Sequence, residues 1–176
     1  MSDQTANSEG EGAGTDGPAS EGTGSGGADP RSGIPARISL VTLGCTDLPA
    51  LTAFYRRLGW PQVTPADEGV SFFRLAGSLL SLFPATELAA DATVPVEPSA
   101  AEFRSSRSLA INLASPAEVD AALAVAQAAG GRVVKPAQEV FWGGYSGYFA
   151  DPEGNLWEVA HNPVWPLDER GLPVIP

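Results

Sequence analysis

Glu158 stands in the run Leu156-Trp157-Glu158-Val159. Its alternating neighbours Trp157 and Val159 belong on an apolar, helix-facing side, so strand parity turns the Glu158 carboxylate the other way, toward a groove. A carboxylate in an apolar groove can act as a general base, because burial disfavours its charge and raises its pKa. It can equally pair with a ligand's hydrogen-bond donors, or sit at a solvated rim. Asn112 lies inside the apolar run Leu109–Ala114, a place where an amide is retained when a neighbour or a ligand satisfies it. By repeat register it corresponds to Thr42, and both are expected to point into the same groove. Trp142-Gly143-Gly144-Tyr145-Ser146-Gly147-Tyr148 combines three glycines with flat amphipathic rings. That composition suits close approach of a ligand or second chain to Trp142 and Tyr148, or a glycine-relaxed bulge over the core edge.

The remaining reactive types point elsewhere. His161 is the one histidine and falls on the strand face opposite Glu158, a structural position. Ser146, His161 and Asp151 can be written as a triad, but no nucleophile elbow or oxyanion hole accompanies them. Cys45, the one cysteine, has no neighbouring histidine or basic cluster to lower its pKa and reads as a small buried hydrophobe. One cysteine excludes an internal disulfide and any CxxC site, and one histidine excludes metal sites needing two imidazoles.

The elements that must position these groups form a unit written twice. Residues 37–44 read as a strand, Thr46 or Asp47 caps a helix running to about Leu58, and Gly59 stops it. Short strands are expected around Gln62–Thr64, Gly69–Leu75 and Ser78–Phe83, the last two paired across Ala76-Gly77. Phe54, Phe72, Phe73 and Phe83 read as core. About 70 residues on, Ser108–Ala114 is the strand and Ser115-Pro116-Ala117-Glu118 a capping box with proline at the first helical position. Strands follow near Arg132–Lys135, Ser146–Ala150 and Leu156–His161, with Asp151–Asn155 as a turn. Each half is β-α-β-β-β. Half a domain of this kind exposes one apolar sheet face, and two halves side by side bury it and leave a concave groove.

Composition frames the unit. The chain has 176 residues, 21 acidic and 10 basic, for a net charge of −11. Residues 1–36 hold nine glycines, six acidic residues and one arginine, with Met1 and Ile34 as the apolar side chains other than alanine, and are expected to be disordered. The remaining 140 residues carry 15 acidic and 9 basic side chains, net −6, so the acidity belongs in good part to the leader. An acidic domain lacks the basic footprint that nucleic acid requires, and no run approaches the roughly 18 apolar residues of a membrane span. With no targeting segment, the cytoplasm is the expected location. The predicted organisation is a leader over 1–36, a domain over 37–163 (module one about 37–84, linker about 85–106, module two about 107–163) and an extension over 164–176.

Two segments carry a family resemblance. LVTLGCTDLPALTAFYRRLGW resembles the first module of the vicinal oxygen chelate superfamily, the glyoxalase, bleomycin-resistance and dioxygenase group. FWGGYSGYFADPEGNLWEVAHNP is similar to its last hairpin, where Asp-Pro-x-Gly-x-x-x-Glu ends on Glu158. The resemblance implies an α+β fold of two βαβββ modules forming a paired, curved mixed sheet around a groove. It also implies a divalent metal held from the first and last strands of each module. Here the last-strand carboxylate matches Glu158. The other positions fall at Leu40, at Ser108 or Ala110, and among Leu80, Ser81 and Leu82, which leaves the ligand set incomplete. No cofactor is therefore expected, and Glu158 is the sole metal ligand if there is one. The expected function is binding of a small organic molecule by Thr42, Asn112, Trp142, Tyr148 and Glu158, in a homodimer as the resistance branch implies. The alternative is a lyase, isomerase or dioxygenase-like enzyme with Glu158 as catalytic base or metal ligand.

Overall fold

The structure is a computed structural model that describes Ile34, residues 36–63, 69–96, Arg104 and residues 106–175. The leader expected over 1–36 thus lies almost wholly outside the described residues, as does Thr64. Residues Arg37–Pro176 make one compact unit.

In the first half, β1 (Leu40–Cys45) alternates. Leu43 and Cys45 are buried toward the core, while Thr42 and Gly44 face away. Helix α1 (Leu48–Arg57) starts at Asp47, whose carboxylate accepts from the Ala50 amide at 2.9 Å. It buries Leu51, Thr52, Phe54 and Tyr55 on one stripe. The strands β2 (Ser71–Arg74) and β3 (Leu79–Pro84) pair antiparallel, and β1 joins β3 in parallel, giving the order β1-β3-β2. The strand expected around Gln62 contracts to a single bridge between Gln62 and Phe73. Pro61 and the short approach from Gly59 leave little chain to extend there.

The segment expected as a linker from residue 85 opens instead with helix α2 (Ala85–Asp91). Its Ala-Thr-Glu-Leu-Ala-Ala sequence has strong intrinsic helix propensity, and Pro84 sets its N-terminus. The prolines at 84, 95 and 98 and the scattered acids of the segment masked that run.

The second half follows its expected order with β4 (Ser108–Asn112), α3 (Pro116–Ala128), β5 (Arg132–Glu139), β6 (Tyr145–Ala150) and β7 (Leu156–His161), in the order β4-β7-β6-β5. Ser115 Oγ accepts from the Glu118 amide, and the Glu118 carboxylate reaches back to the amide of Ala114, one residue beyond the usual partner.

One core serves both halves, and α1 joins them. Phe54 and Phe149 have ring centroids 6.4 Å apart, Tyr55 and Trp157 6.1 Å. The Tyr55 hydroxyl donates to Asp151 at 2.8 Å and accepts from Trp157 Nε1 at 3.0 Å. Arg57 Nε donates to the Ala129 carbonyl at 2.6 Å, placing a cation at the C-terminus of α3. Phe54 and Phe73 are core as expected, but Phe72 and Phe83 are only partly buried. They stand on the β2 and β3 face turned away from α1, because strand alternation puts neighbours Phe72 and Phe73 on opposite sides. Cys45 is buried, and burial, with Glu153 and Asp47 nearby, pushes its thiol up to about 11. It is an inert core side chain.

Glu153 clasps the start of α1. Its carboxylate accepts from the Thr46 and Asp47 amides, both at 2.9 Å, and from the Thr46 hydroxyl at 2.6 Å. Burial alone would raise its pKa. Those donors and the charge of Arg104 outweigh burial and hold it below its ordinary value. An acid whose pKa is lowered on folding stabilises the fold above its unfolded pKa, and that contribution is lost as pH falls through the folded value. Glu153→Gln is therefore expected to melt earlier at neutral pH, by about 1 kcal/mol. The difference from wild type should close as the buffer is taken to strongly acidic pH, and a gap independent of pH would show that the charge is not what matters.

Candidate functional site

Strand register assembles the site. Across the second sheet, Ala110, Glu158, Tyr148 and Lys135 are consecutive cross-strand partners, all on the face turned away from α3. Tyr148 stands directly opposite Glu158 across the strands, and the Lys135 ammonium lies 5.7 Å from the centre of the Tyr148 ring, within cation–π range. Burial, followed by the charge and hydrogen bond of Glu158, raises the Tyr148 pKa, so the phenol stays protonated near neutrality. Lys135, Gln138, Trp142, Ser146, Tyr148 and Glu158 line a cavity of about 370 Å³. Its rim is the turn between β5 and β6, where Phe141 is fully exposed and Trp142 40 % exposed.

Glycines make that turn. A Cβ on Gly144 would fall 1.6 Å from Trp142 Cζ3, inside the ring, so only glycine lets the indole fold back over the turn. Gly143 has φ +85°.

Of the five residues expected at the site, Glu158, Tyr148 and Trp142 converge here. Thr42 lines a different cavity, beside α2. Asn112 pairs with Ala160, on the Glu158 side of the second sheet, and lines neither cavity. Lys135 and Gln138 are members that sequence reasoning missed. Counting by twos from Val133, whose partner Phe149 is in the core, puts Lys135 on the core side. Two register shifts in β5, between Val133 and Lys135 and between Lys135 and Gln138, turn both side chains into the cavity.

The other reactive side chains are committed elsewhere. His161 Nδ1 lies 3.1 Å from the Leu113 carbonyl, on the opposite side of β7 from Glu158. Asp151 takes four hydrogen bonds, from Tyr55, Glu153 and the amide and side chain of Asn155. Ser146, His161 and Asp151 therefore do not form a relay.

The donor set does not fit a divalent cation. Ala110 stands directly beside Glu158, Leu80 and Leu82 are buried in the core, and the next polar groups in the row are a phenol and an ammonium. Among the described residues no three His, Cys, Asp or Glu side chains gather as a metal would need.

The profile of the Glyoxalase/Bleomycin resistance protein/Dioxygenase superfamily matches residues 37–159. The chain belongs to that superfamily. Among solved structures it is similar to a glyoxalase-related enzyme from Fulvimarina pelagi, with 33 % identity and a TM-score of 0.72 over 80 % of this chain and 99 % of that one. It also resembles a lactoylglutathione lyase from Agrobacterium tumefaciens (28 %, TM-score 0.58, 77 % and 100 % covered). A third similar structure is a superfamily member from Nocardioides (29 %, TM-score 0.59, 73 % and 84 % covered). No curated protein matches. The α+β fold of two mixed sheets expected from the resemblance is the fold of this superfamily member. Among the described residues no helix is long and apolar enough to cross a membrane.

Proposed function

We propose that this superfamily member binds a small organic molecule in the Glu158 cavity without a resident metal. The carrying observation is the convergence of Glu158, Tyr148 and Trp142, with Lys135, on one concave surface. Trp142 offers a flat apolar wall, Glu158 accepts hydrogen bonds from the ligand, and Lys135 supplies a cation at the far end of the row. A homodimer, as the family resemblance implies, would let a second copy cover the adjoining exposed rings of Phe141 and Trp142 at the mouth.

A thermal-shift screen of aromatic, glycopeptide and α-ketoaldehyde compounds, with and without divalent metals, tests this, because a ligand at 100 times its dissociation constant stabilises by about 2.7 kcal/mol. Trp142→Ala is expected to weaken the best hit by about tenfold or more, as loss of an aromatic anchor does. Unchanged affinity in both Trp142→Ala and Glu158→Gln would remove the ligand from this cavity.

The pairing of the Tyr148 phenol with the Glu158 carboxylate across neighbouring strands favours a second reading, proton transfer. Glu158 would take a proton from a carbon acid while the neutral phenol steadies the carboxylate, the chemistry of a lyase or isomerase. Turnover that disappears in Glu158→Gln while ligand binding persists distinguishes catalysis from binding alone.

A further inference from the structure

Charge divides the Glu158 cavity along one row of the second sheet. Glu158, Tyr148 and Lys135 are consecutive cross-strand partners, so the phenol stands between a carboxylate on one side and an ammonium on the other. Neighbouring strands lie about 4.8 Å apart, which puts the Glu158 and Lys135 backbones about 10 Å from each other. Lys135 directs its ammonium over the Tyr148 ring and not onto a carboxylate. Among the described residues no ion pair joins it to Glu158, or to Glu139, the other acid of the cavity.

The charge contrast is confined to that row. In the next row toward the turn, Gln138 and Ser146 face each other across β5 and β6, polar but uncharged. Glu139 lies at the end of β5, exposed and opposite Tyr145. Trp142 closes the rim with a flat apolar surface.

Two opposite charges that share a cavity without meeting restrict what can fill it. An anion that covers Lys135 also strips water from Glu158, a carboxylate it has no means to pair. A plain cation on Glu158 does the same to Lys135. Each leaves one charge desolvated and unpaired, which is costly. A ligand that carries both charges, held apart by its own frame, satisfies each group and leaves neither alone. An ammonium and a carboxylate on one carbon do not reach both sides of the phenol. A flat ring between them does, and the ring packs on Trp142.

We propose that the Glu158 cavity selects a zwitterion, a flat organic molecule with an ammonium at one end for Glu158 and a carboxylate at the other for Lys135. This rests on the reading of that cavity as a ligand site and adds the class of ligand. The probe is 4-(aminomethyl)benzoate, titrated into the full chain by calorimetry at neutral pH, where both of its ends are charged. Its controls keep the ring: 4-methylbenzoate lacks the ammonium, and 4-(aminomethyl)benzamide lacks the carboxylate. The zwitterion is expected to bind saturably, and each control about tenfold or more weaker for want of one charge-assisted contact. Lys135→Gln should erase its advantage over the benzamide and keep its advantage over 4-methylbenzoate. Glu158→Gln should do the reverse. Both side chains are half-buried and stand outside the core, so each variant should melt cooperatively. The comparison of the three compounds on wild type decides the matter even if a variant misfolds.

The proposal is overturned if the zwitterion does not bind saturably, if either control matches it, or if either variant leaves both advantages intact. Equal binding of all three compounds, weakened together by Trp142→Ala, removes the zwitterion and keeps the cavity as a site for flat molecules. The cavity reading itself falls on a different result, when Trp142→Ala and Glu158→Gln both leave the affinity of the screened ligand unchanged.

Discussion

Tyr55→Ala is expected to lower unfolding free energy by about 3–5 kcal/mol, measured by chemical denaturation. The Tyr55 ring is completely buried and touches the rings of Phe54, Trp60, Phe73 and Trp157, so its removal opens a cavity where the two halves meet. Tyr55→Phe keeps the ring and isolates the hydroxyl, whose loss leaves Asp151 one donor short and Trp157 Nε1 without its acceptor, at a cost of about 1–3 kcal/mol. The pH dependence of that second variant identifies the cause. Burial raises the Asp151 pKa against its hydrogen bonds from Asn155, Tyr55 and Glu153. An acid raised on folding opposes folding increasingly as pH climbs from its unfolded pKa to its folded one. Removing the Tyr55 donor lifts the folded value further. The deficit of Tyr55→Phe should therefore be larger at neutral pH than in acid, where Asp151 is protonated. An equal deficit at both would place the loss in packing around the hydroxyl instead.

Gly147→Val carries the second large effect, and it links stability to the site. A Cβ at this position would lie 2.7 Å from Leu123 Cδ1, 2.9 Å from the Lys135 carbonyl oxygen and 3.0 Å from Ala137 Cα. Two of those three atoms are backbone of β5, so a side chain here must push β6 away from α3 and its neighbouring strand. Overpacking of this kind costs about 1–3 kcal/mol, and more where backbone must move. Ser146 and Tyr148 flank Gly147, and Lys135, whose carbonyl the new side chain would strike, lines the same cavity. The variant should lose ligand affinity at the Glu158 cavity as well as melting temperature. Gly143→Ala serves as the contrast: no atom lies within 4 Å of its Cβ, and only the backbone at φ +85° resists. It is expected to cost about 1 kcal/mol. If Gly147→Val melts no earlier than Gly143→Ala, steric closeness at β6 does not govern the stability of this sheet.

Periodicity and end signals made much of the fold legible. Asp47 and Ser115 cap their helices because a side-chain acceptor beside the first turn is a local fact, decided within four residues. Glu158 faces the cavity, and Trp157 the core, because alternation along an unbulged strand is equally local. The resemblance over residues 37 to about 163 implied how two such halves belong together, and the family profile matches 37–159.

Other features were not readable that way. Helix α2 was hidden among prolines and acids, although Ala85–Asp91 has the composition of a helix once Pro84 is taken as its start. Lys135 escaped because register shifts in β5 break the parity on which strand reading depends. Thr42 and Asn112 correspond in the repeat, yet Thr42 lines a cavity and Asn112 lines neither. Equivalent positions share a local conformation, but what covers each depends on α2 and on how α1 packs against the second half.

The sequence by itself determined the modules, their caps, the facing of Glu158 and the poverty of metal donors, since each depends on residue type and short spacing. Only the tertiary structure decided that Tyr148, Trp142 and Lys135 join Glu158 while Thr42 belongs to a separate chamber beside α2. Those outcomes depend on strand register and on contacts between residues as far apart as Tyr55 and Trp157, where packing overrides the period of the chain.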